Sequence, residues 1–242
     1  MSTITTINPA TGENIETYTL MSEQEATAKL QACHAAFLEW RTLSHAERAP
    51  YLTKIAQKLR DNADKLAALM TRETGKLLKD GHREVDICAA IFDYTAKNGP
   101  DALVDEERTH GPNGKRGVVS YQPLGVIYSI QPWNFPLYQP VRVLAANLMT
   151  GNGCVLKHAS ICTGSGLRLR ELCIEAGLPE DLFQVILIDH DTSDKLIAHP
   201  LVRGVTLTGS DGAGRHVGAV AAKALKKTVL ELGSNDAYLV LE

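Results

Sequence analysis

Apolar residues recur at helical spacing through the first hundred positions of the chain. Ser22 with Glu25 forms a capping box, and Ala26, Leu30, Cys33, Phe37 and Trp40 follow along one helix face. Ser44 with Glu47 repeats the signal ahead of Leu52, Ile55, Ala56 and Leu59. Pro50 falls inside this second helix, and a residue without an N–H predicts a kink there or a later start. Further stripes run through Leu66, Leu69 and Met70, and through Val85, Ile87, Ala89, Ile91 and Phe92. Residues 1–104 are therefore expected to be helical.

From Arg116 the period changes. Val118 to Tyr121 predicts a strand, and Pro123 and Gly125 mark a turn into a second, Val126 to Ile130. Helices and short apolar runs then alternate. Helices are expected near 137–149, 163–176, 192–198 and 212–225, and strands at 153–157, 183–188, 204–208 and 228–232. Gly177 and Pro179 supply the stop after Ala176. Short strands separated by helices imply an α/β fold, with a doubly wound, Rossmann-like parallel sheet covered on both faces. Such sheets bind ligands at the carboxyl ends of their strands.

Composition removes several classes of function. The 242 residues are 44% hydrophobic and 22% charged, an ordinary globular balance. A net charge of -3 gives no basic footprint, so no nucleic acid partner is expected. No apolar run approaches the roughly 18 residues of a membrane helix. Met1 to Glu13 lacks the layout of a signal peptide. Five cysteines (Cys33, Cys88, Cys154, Cys162 and Cys173) are scattered without a C-x-x-C pair. They are expected to be buried reduced thiols of a cytoplasmic protein, with no disulfide framework and no metal site.

Three strand-to-loop junctions carry candidate chemistry. Gln131-Pro132-Trp133-Asn134-Phe135-Pro136 leaves one strand and enters a helix. Its prolines stiffen the loop, so Asn134 is either an amide fixed for donation to a developing oxyanion or a helix cap packed among aromatics. Thr208-Gly209-Ser210-Asp211-Gly212-Ala213-Gly214 places a glycine-rich turn between a strand and a helix. That design cradles phosphates on backbone N–H groups, but position 217 is Val and no Gly-Lys-Ser/Thr follows. An ordinary flexible turn remains an alternative. Leu230-Glu231-Leu232-Gly233-Ser234 ends the last strand with a carboxylate between leucines. Glu231 is either a surface edge residue or a partly desolvated base whose pKa burial would raise.

Taken in order, "PLGVIYSIQPWNFPLYQPVRVLAANLMTGNGCVLKHAS", "VTLTGSDGAG" and "TVLELGS" resemble the aldehyde dehydrogenase superfamily, with weaker support from "INPATGE" and "TRETGK". Within it the chain looks closest to bacterial succinate-semialdehyde dehydrogenases. The resemblance implies NAD or NADP as cofactor and an aldehyde as substrate. Asn134 would be the oxyanion donor and Glu231 the general base. Lys157 would bind the adenosine ribose, Gly209 and Ser210 would meet the pyrophosphate, and Ile130 and Trp133 would line the cofactor cleft, with Gly233 also in contact with the cofactor. Ser160 stands where strictly NAD-preferring relatives often carry a carboxylate, which implies that a 2′-phosphate is accepted. Arg142 would hold a substrate carboxylate, an ion pair being its alternative role. Residues 1–104 would be the helical part of the coenzyme domain, 105–123 a β-arm joining homo-oligomers (dimers or tetramers), and 124–242 the coenzyme-binding sheet.

Two departures from the family pattern stand out. Ser234 replaces a second glycine, crowding the nicotinamide side. The family's nucleophilic cysteine lies well past the general base, so the resemblance implies a nucleophile and a catalytic domain outside these residues. A non-catalytic nucleotide-binding or interaction protein is the alternative.

Overall fold

Two strands precede the helices. The computed structural model describes residues 2–108, 114 and 116–241. In it β1 (Thr3–Ile7) and β2 (Asn14–Thr19) form an antiparallel hairpin, which corrects the expectation of an all-helical start. Ile4 faces Tyr18, and the hydroxyls of Thr5 and Thr17 meet at 2.9 Å. The hairpin turns where Gly12, at φ 75°, donates its N–H to the Asn8 carbonyl. β-Branched residues favour the pairing, but both faces are largely exposed and leave no apolar stripe in the sequence.

Four helices follow: α1 (Glu23–Trp40), α2 (His45–Asp61), α3 (Ala63–Thr74) and α4 (Leu78–Ala102). Both predicted capping boxes are made. α2 begins at His45, not later, because Pro50 is exposed and the Ala46 carbonyl it leaves without a donor also lies on an exposed residue. Ile87 is 48% exposed, contrary to the predicted stripe of α4. Gly81, Glu84, Val85, Cys88, Ala89, Phe92 and Ala96 form the buried face instead.

The main sheet contains β5 (Val126–Gln131), β6 (Gly153–His158), β7 (Phe183–Val185), β8 (Val202–Thr208) and β9 (Lys227–Glu231), in the order β7-β6-β5-β8-β9 with parallel pairing throughout. Between the strands run α5 (Tyr138–Met149), α6 (Thr163–Glu175), α7 (His190–Ala198) and α8 (Asp211–Lys223). Successive strand residues enter opposite cores. Ile127 and Leu156 join the core built from α2, α4, α5 and α6, while Tyr128 and Val155 join that of α7 and α8.

Two predicted strands differ. β7 ends at Val185 rather than continuing to 188, because the Leu187 carbonyl accepts from Met21 N–H at 2.7 Å, outside the ladder. Val118 and Val119 lie in β4 (Gly117–Val119), which among the described residues pairs only with β3 (Glu106–Arg108) in a separate antiparallel ribbon. Residues 109–113 and 115 of the predicted β-arm lie outside the described residues.

Candidate functional site

The order in which the chain adds strands reverses between β5 and β8. The chain leaves β5 toward β6 on one side and β8 toward β9 on the other, so a crevice opens at their carboxyl ends. A cavity of about 330 Å³ lies there between α7 and α8. Ile130, Leu207, Ala213 and Val217 form its apolar walls, and Lys157, His190, Ser193, Asp194 and His216 its polar rim. Burial holds the Lys157 ammonium below its ordinary pKa, against the opposing effect of Asp189. Ser160 is exposed at the start of a 3-10 turn (Ser160–Cys162) just past β6. Two of the predicted cofactor residues, Ile130 and Lys157, are thus brought together in one cavity.

The glycine-rich turn enters α8 as expected. Ser210 caps the helix, its hydroxyl accepting from Ala213 N–H at 3.3 Å. Gly209 N–H donates instead to the Glu231 carbonyl at 3.0 Å, which ties the turn to β9 and removes that N–H from any phosphate cradle. The first-turn N–H groups of Asp211 and Gly212 have no intrahelical acceptors, as in any helix start, and can meet an anion. The Asp211 carboxylate in that turn opposes a second negative charge. A Cβ at Gly214 would stand 2.4 Å from Leu232 Cδ2, so the exposed Leu232 side chain would have to shift to admit one. A Cβ at Gly233 would meet only Asp211 Oδ1, at 3.7 Å. An apolar slot, a half-buried ammonium and an open helix N-terminus fit the base, ribose and phosphates of a dinucleotide.

The loop before α5 is fixed from outside. Glu84, 1% exposed, accepts the N–H groups of Leu137 and Tyr138 at 2.8 and 3.0 Å, so a carboxylate of α4 caps α5. Lys76 ion-pairs with Glu84, and its ammonium lies 4.0 Å from the Phe135 ring centroid. Asn134 is therefore not the helix cap. Its Oδ1 accepts from Phe135 N–H at 3.1 Å, and among the described residues its Nδ2 has no protein partner. Asn134 and Trp133 line a second cavity of about 510 Å³ with Lys76, Glu84 and Ile87, separate from the one containing Ile130.

His158 holds the same end of this loop from β6. Its Nδ1 accepts from Ala159 N–H at 2.9 Å, so the proton sits on Nε2, which donates to the Pro136 carbonyl at 2.7 Å. Burial lowers its pKa and keeps the ring neutral. A histidine with a depressed folded pKa stabilises above its unfolded pKa, and that contribution is lost as pH falls through the folded value. Relative to His158→Gln, which can donate but does not titrate, the protein should lose its stability advantage progressively as pH falls below the ordinary histidine value of 6.5. Urea unfolding of both at each pH checks this. A gap that stays constant or widens toward low pH refutes the assignment.

Arg142 and Glu231 come together on the α5 side of the sheet, 3.9 Å apart, with side chains 36% and 54% exposed. Arg142 Nη2 also donates to Thr208 Oγ1 at 3.3 Å. Both line a cavity of about 390 Å³. Of the two alternatives for Glu231, a surface edge residue or a partly desolvated base, this chain has the first, because every residue of the edge strand β9 is exposed. The ion-pair alternative for Arg142 is realised here.

The five cysteines are all buried and unpaired, as expected. Burial pushes the Cys154 thiol up to about 12 and raises those of Cys33, Cys88, Cys162 and Cys173. Among the described residues there is no cluster able to hold a metal, and no helix is long and apolar enough to cross a membrane. Sequence reasoning missed Lys76, Glu84, Asp194 and His216. A carboxylate falling in the apolar phase of α4 was the legible sign for Glu84. Asp194 and His216 gave none, as exposed polar residues on two different helices.

A family model described as the aldehyde dehydrogenase family matches residues 1–242. Over 240 residues the chain is 42% identical to a succinate-semialdehyde dehydrogenase [NADP(+)] of Mycobacterium avium (strain 104), covering 98% of this chain and 51% of that protein. The crystal structure of a Streptococcus pyogenes succinic semialdehyde dehydrogenase in complex with NADP+ superposes with a TM-score of 0.94 at 39% identity, over 99% of this chain and 52% of that one. An NAD-dependent aldehyde dehydrogenase of Sinorhizobium meliloti gives 0.90 at 31% identity, over 96% and 47%. The chain spans about half the length of the relatives it matches.

Proposed function

The chain belongs to the aldehyde dehydrogenase family, and from that premise we propose that it forms the coenzyme-binding part of an enzyme that oxidises succinate semialdehyde, or a similar semialdehyde, to the acid with NADP or NAD. The observation that carries the reading is the slot at the reversal of the strand order, where Ile130, Leu207 and Lys157 meet beside the open N-terminus of α8. The NADP-dependent relatives support it. Residues 1–104 and 124–242 act as one coenzyme-binding unit, and the segment 105–123 joins copies of the chain into dimers or tetramers. Five buried, unpaired thiols fit a reducing compartment such as the cytoplasm.

Each residue then has a task. The nicotinamide, when bound, supplies the hydride acceptor. Lys157 donates to the ribose hydroxyls, and Ser160 offers a hydroxyl to a 2′-phosphate where a carboxylate would repel it. Ser210 shapes the turn whose N–H groups meet the pyrophosphate, Gly209 anchors it to β9, and Trp133 and Gly233 lie toward the nicotinamide. The free amide of Asn134 donates to the oxyanion formed when a thiolate attacks the carbonyl. Glu231 takes the proton from the attacking thiol or water. Arg142, only loosely held by Glu231 and Thr208, offers a planar guanidinium to the far carboxylate of the substrate.

Titrating the protein with NADP and with NAD by calorimetry tests this reading. NADP should bind at least as tightly as NAD, and Lys157→Ala should weaken both. Preference for NAD by about 100-fold or more, the scale of a charge-assisted contact, would overturn the assignment of Ser160.

A further inference from the structure

The roles proposed for ribose and phosphate leave Asp194 and His216 on the rim of the 330 Å³ cavity without a task. There Asp194 of α7 meets His216 of α8, with His216 Nε2 at 3.0 and 2.8 Å from the two carboxylate oxygens. The pair bridges the helices at the rim, with side chains 32% and 58% exposed for Asp194 and His216. The neighbouring Ser193 hydroxyl is buried and engaged by the Tyr128 hydroxyl at 2.9 Å, so it belongs to the core. The Asp194 carboxylate keeps acceptor capacity after bonding one imidazole N–H, since two oxygens offer about four lone-pair sites. Ile130, Leu207, Ala213 and Val217 offer apolar surface to a face of a flat ring, whose edge is left to be read by a polar group of the rim.

We propose that the Asp194–His216 pair reads the edge of the purine, selecting adenine by accepting a hydrogen bond from its exocyclic amino group. This deepens, and rests on, the dinucleotide reading of the cleft. A purine carrying a carbonyl in place of that amino group sets oxygen against carboxylate, and the site loses a bond while gaining a repulsion. Hypoxanthine is the informative case, because it differs from adenine at that edge and keeps the shape of the ring. Its ring N1–H can donate to Asp194 only if the base slides along the slot. His216 holds the carboxylate through Nε2 and so positions Asp194 rather than reading the base itself.

Binding of NADP and of nicotinamide hypoxanthine dinucleotide phosphate to the protein, followed by calorimetry, separates the outcomes. The hypoxanthine form should bind about tenfold more weakly or worse, the scale of one hydrogen bond to a charged group. Asp194→Asn, whose amide can donate or accept, should narrow the gap to about twofold. Equal affinity of the unaltered protein for the two dinucleotides overturns the edge reading while leaving the cleft in place, and needs no variant. An undiminished gap in a folded Asp194→Asn overturns the assignment to Asp194. Failure of both dinucleotides to bind overturns the cleft and this inference together.

Discussion

Residues 1–242 produced alone should bind a nicotinamide dinucleotide yet give aldehyde-dependent NAD(P)H several orders of magnitude more slowly than a complete dehydrogenase. The physical reason lies in the thiols. The proposed reaction needs a thiolate that is exposed, activated and within reach of both the Asn134 amide and the cofactor. Cys33, Cys88, Cys154, Cys162 and Cys173 are each buried, and burial raises every one of their pKa values. At Cys162 the carboxylates of Glu73 and Glu84 push in the same direction. None lines the cavity of Asn134 or that of Glu231. An amide and a base without the covalent nucleophile retain little of the rate, because residues that act as a unit fail together. Absorbance assays with NADP and succinate semialdehyde check the rate, and a thiol reagent on the native protein should find no fast-reacting cysteine. Turnover near that of an ordinary dehydrogenase, in a sample whose mass matches these residues, would mean that a nucleophile lies among them.

Glu84→Leu should lower the melting temperature by about 6–20 °C, the largest stability change expected of a single substitution near the loop. Removing one partner of a buried ion pair costs about 3–5 kcal/mol, and about 2–4 °C is lost per kcal/mol in a chain of this size. Here the loss has two parts. Lys76, whose side chain is only 12% exposed, is left without its partner, and the N–H groups of Leu137 and Tyr138 lose their acceptor. Lys76→Met combined with Glu84→Leu should recover the first part and not the second. Thermal unfolding followed by circular dichroism would measure both, and a fall of less than about 2 °C for Glu84→Leu would show that solvent satisfies α5 without the carboxylate. Because the same contacts fix Phe135, the loop carrying Asn134 should loosen in step with the lost stability.

Much of the molecule was legible from short stretches of sequence, because the signals involved are local. A capping box closes within one helical turn, so Ser22 with Glu25 and Ser44 with Glu47 marked helix starts that the structure contains. Alternating helices and apolar runs after Val126 implied a parallel sheet, and Asn134, Glu231 and the turn at Gly209 stood out through loop and turn chemistry. The N-terminal hairpin was missed because strands exposed on both faces lack an apolar stripe, and β7 ended early because Leu187 found its partner in Met21. What only the tertiary structure decided is who meets whom. Glu84 caps a helix that begins 54 residues later, and Glu73 accepts from Gly164 and Ser165 across 91 and 92 residues. A carboxylate can stay buried only where distant N–H groups converge on it, and no local period encodes that convergence. The pairing of Arg142 with Glu231 and of Asp194 with His216, and the exposure of Glu231 on an edge strand, follow likewise from the order β7-β6-β5-β8-β9. That order sets which strand ends lie side by side at the cleft, and it is chosen by long-range packing of two cores rather than by the residues of any one strand.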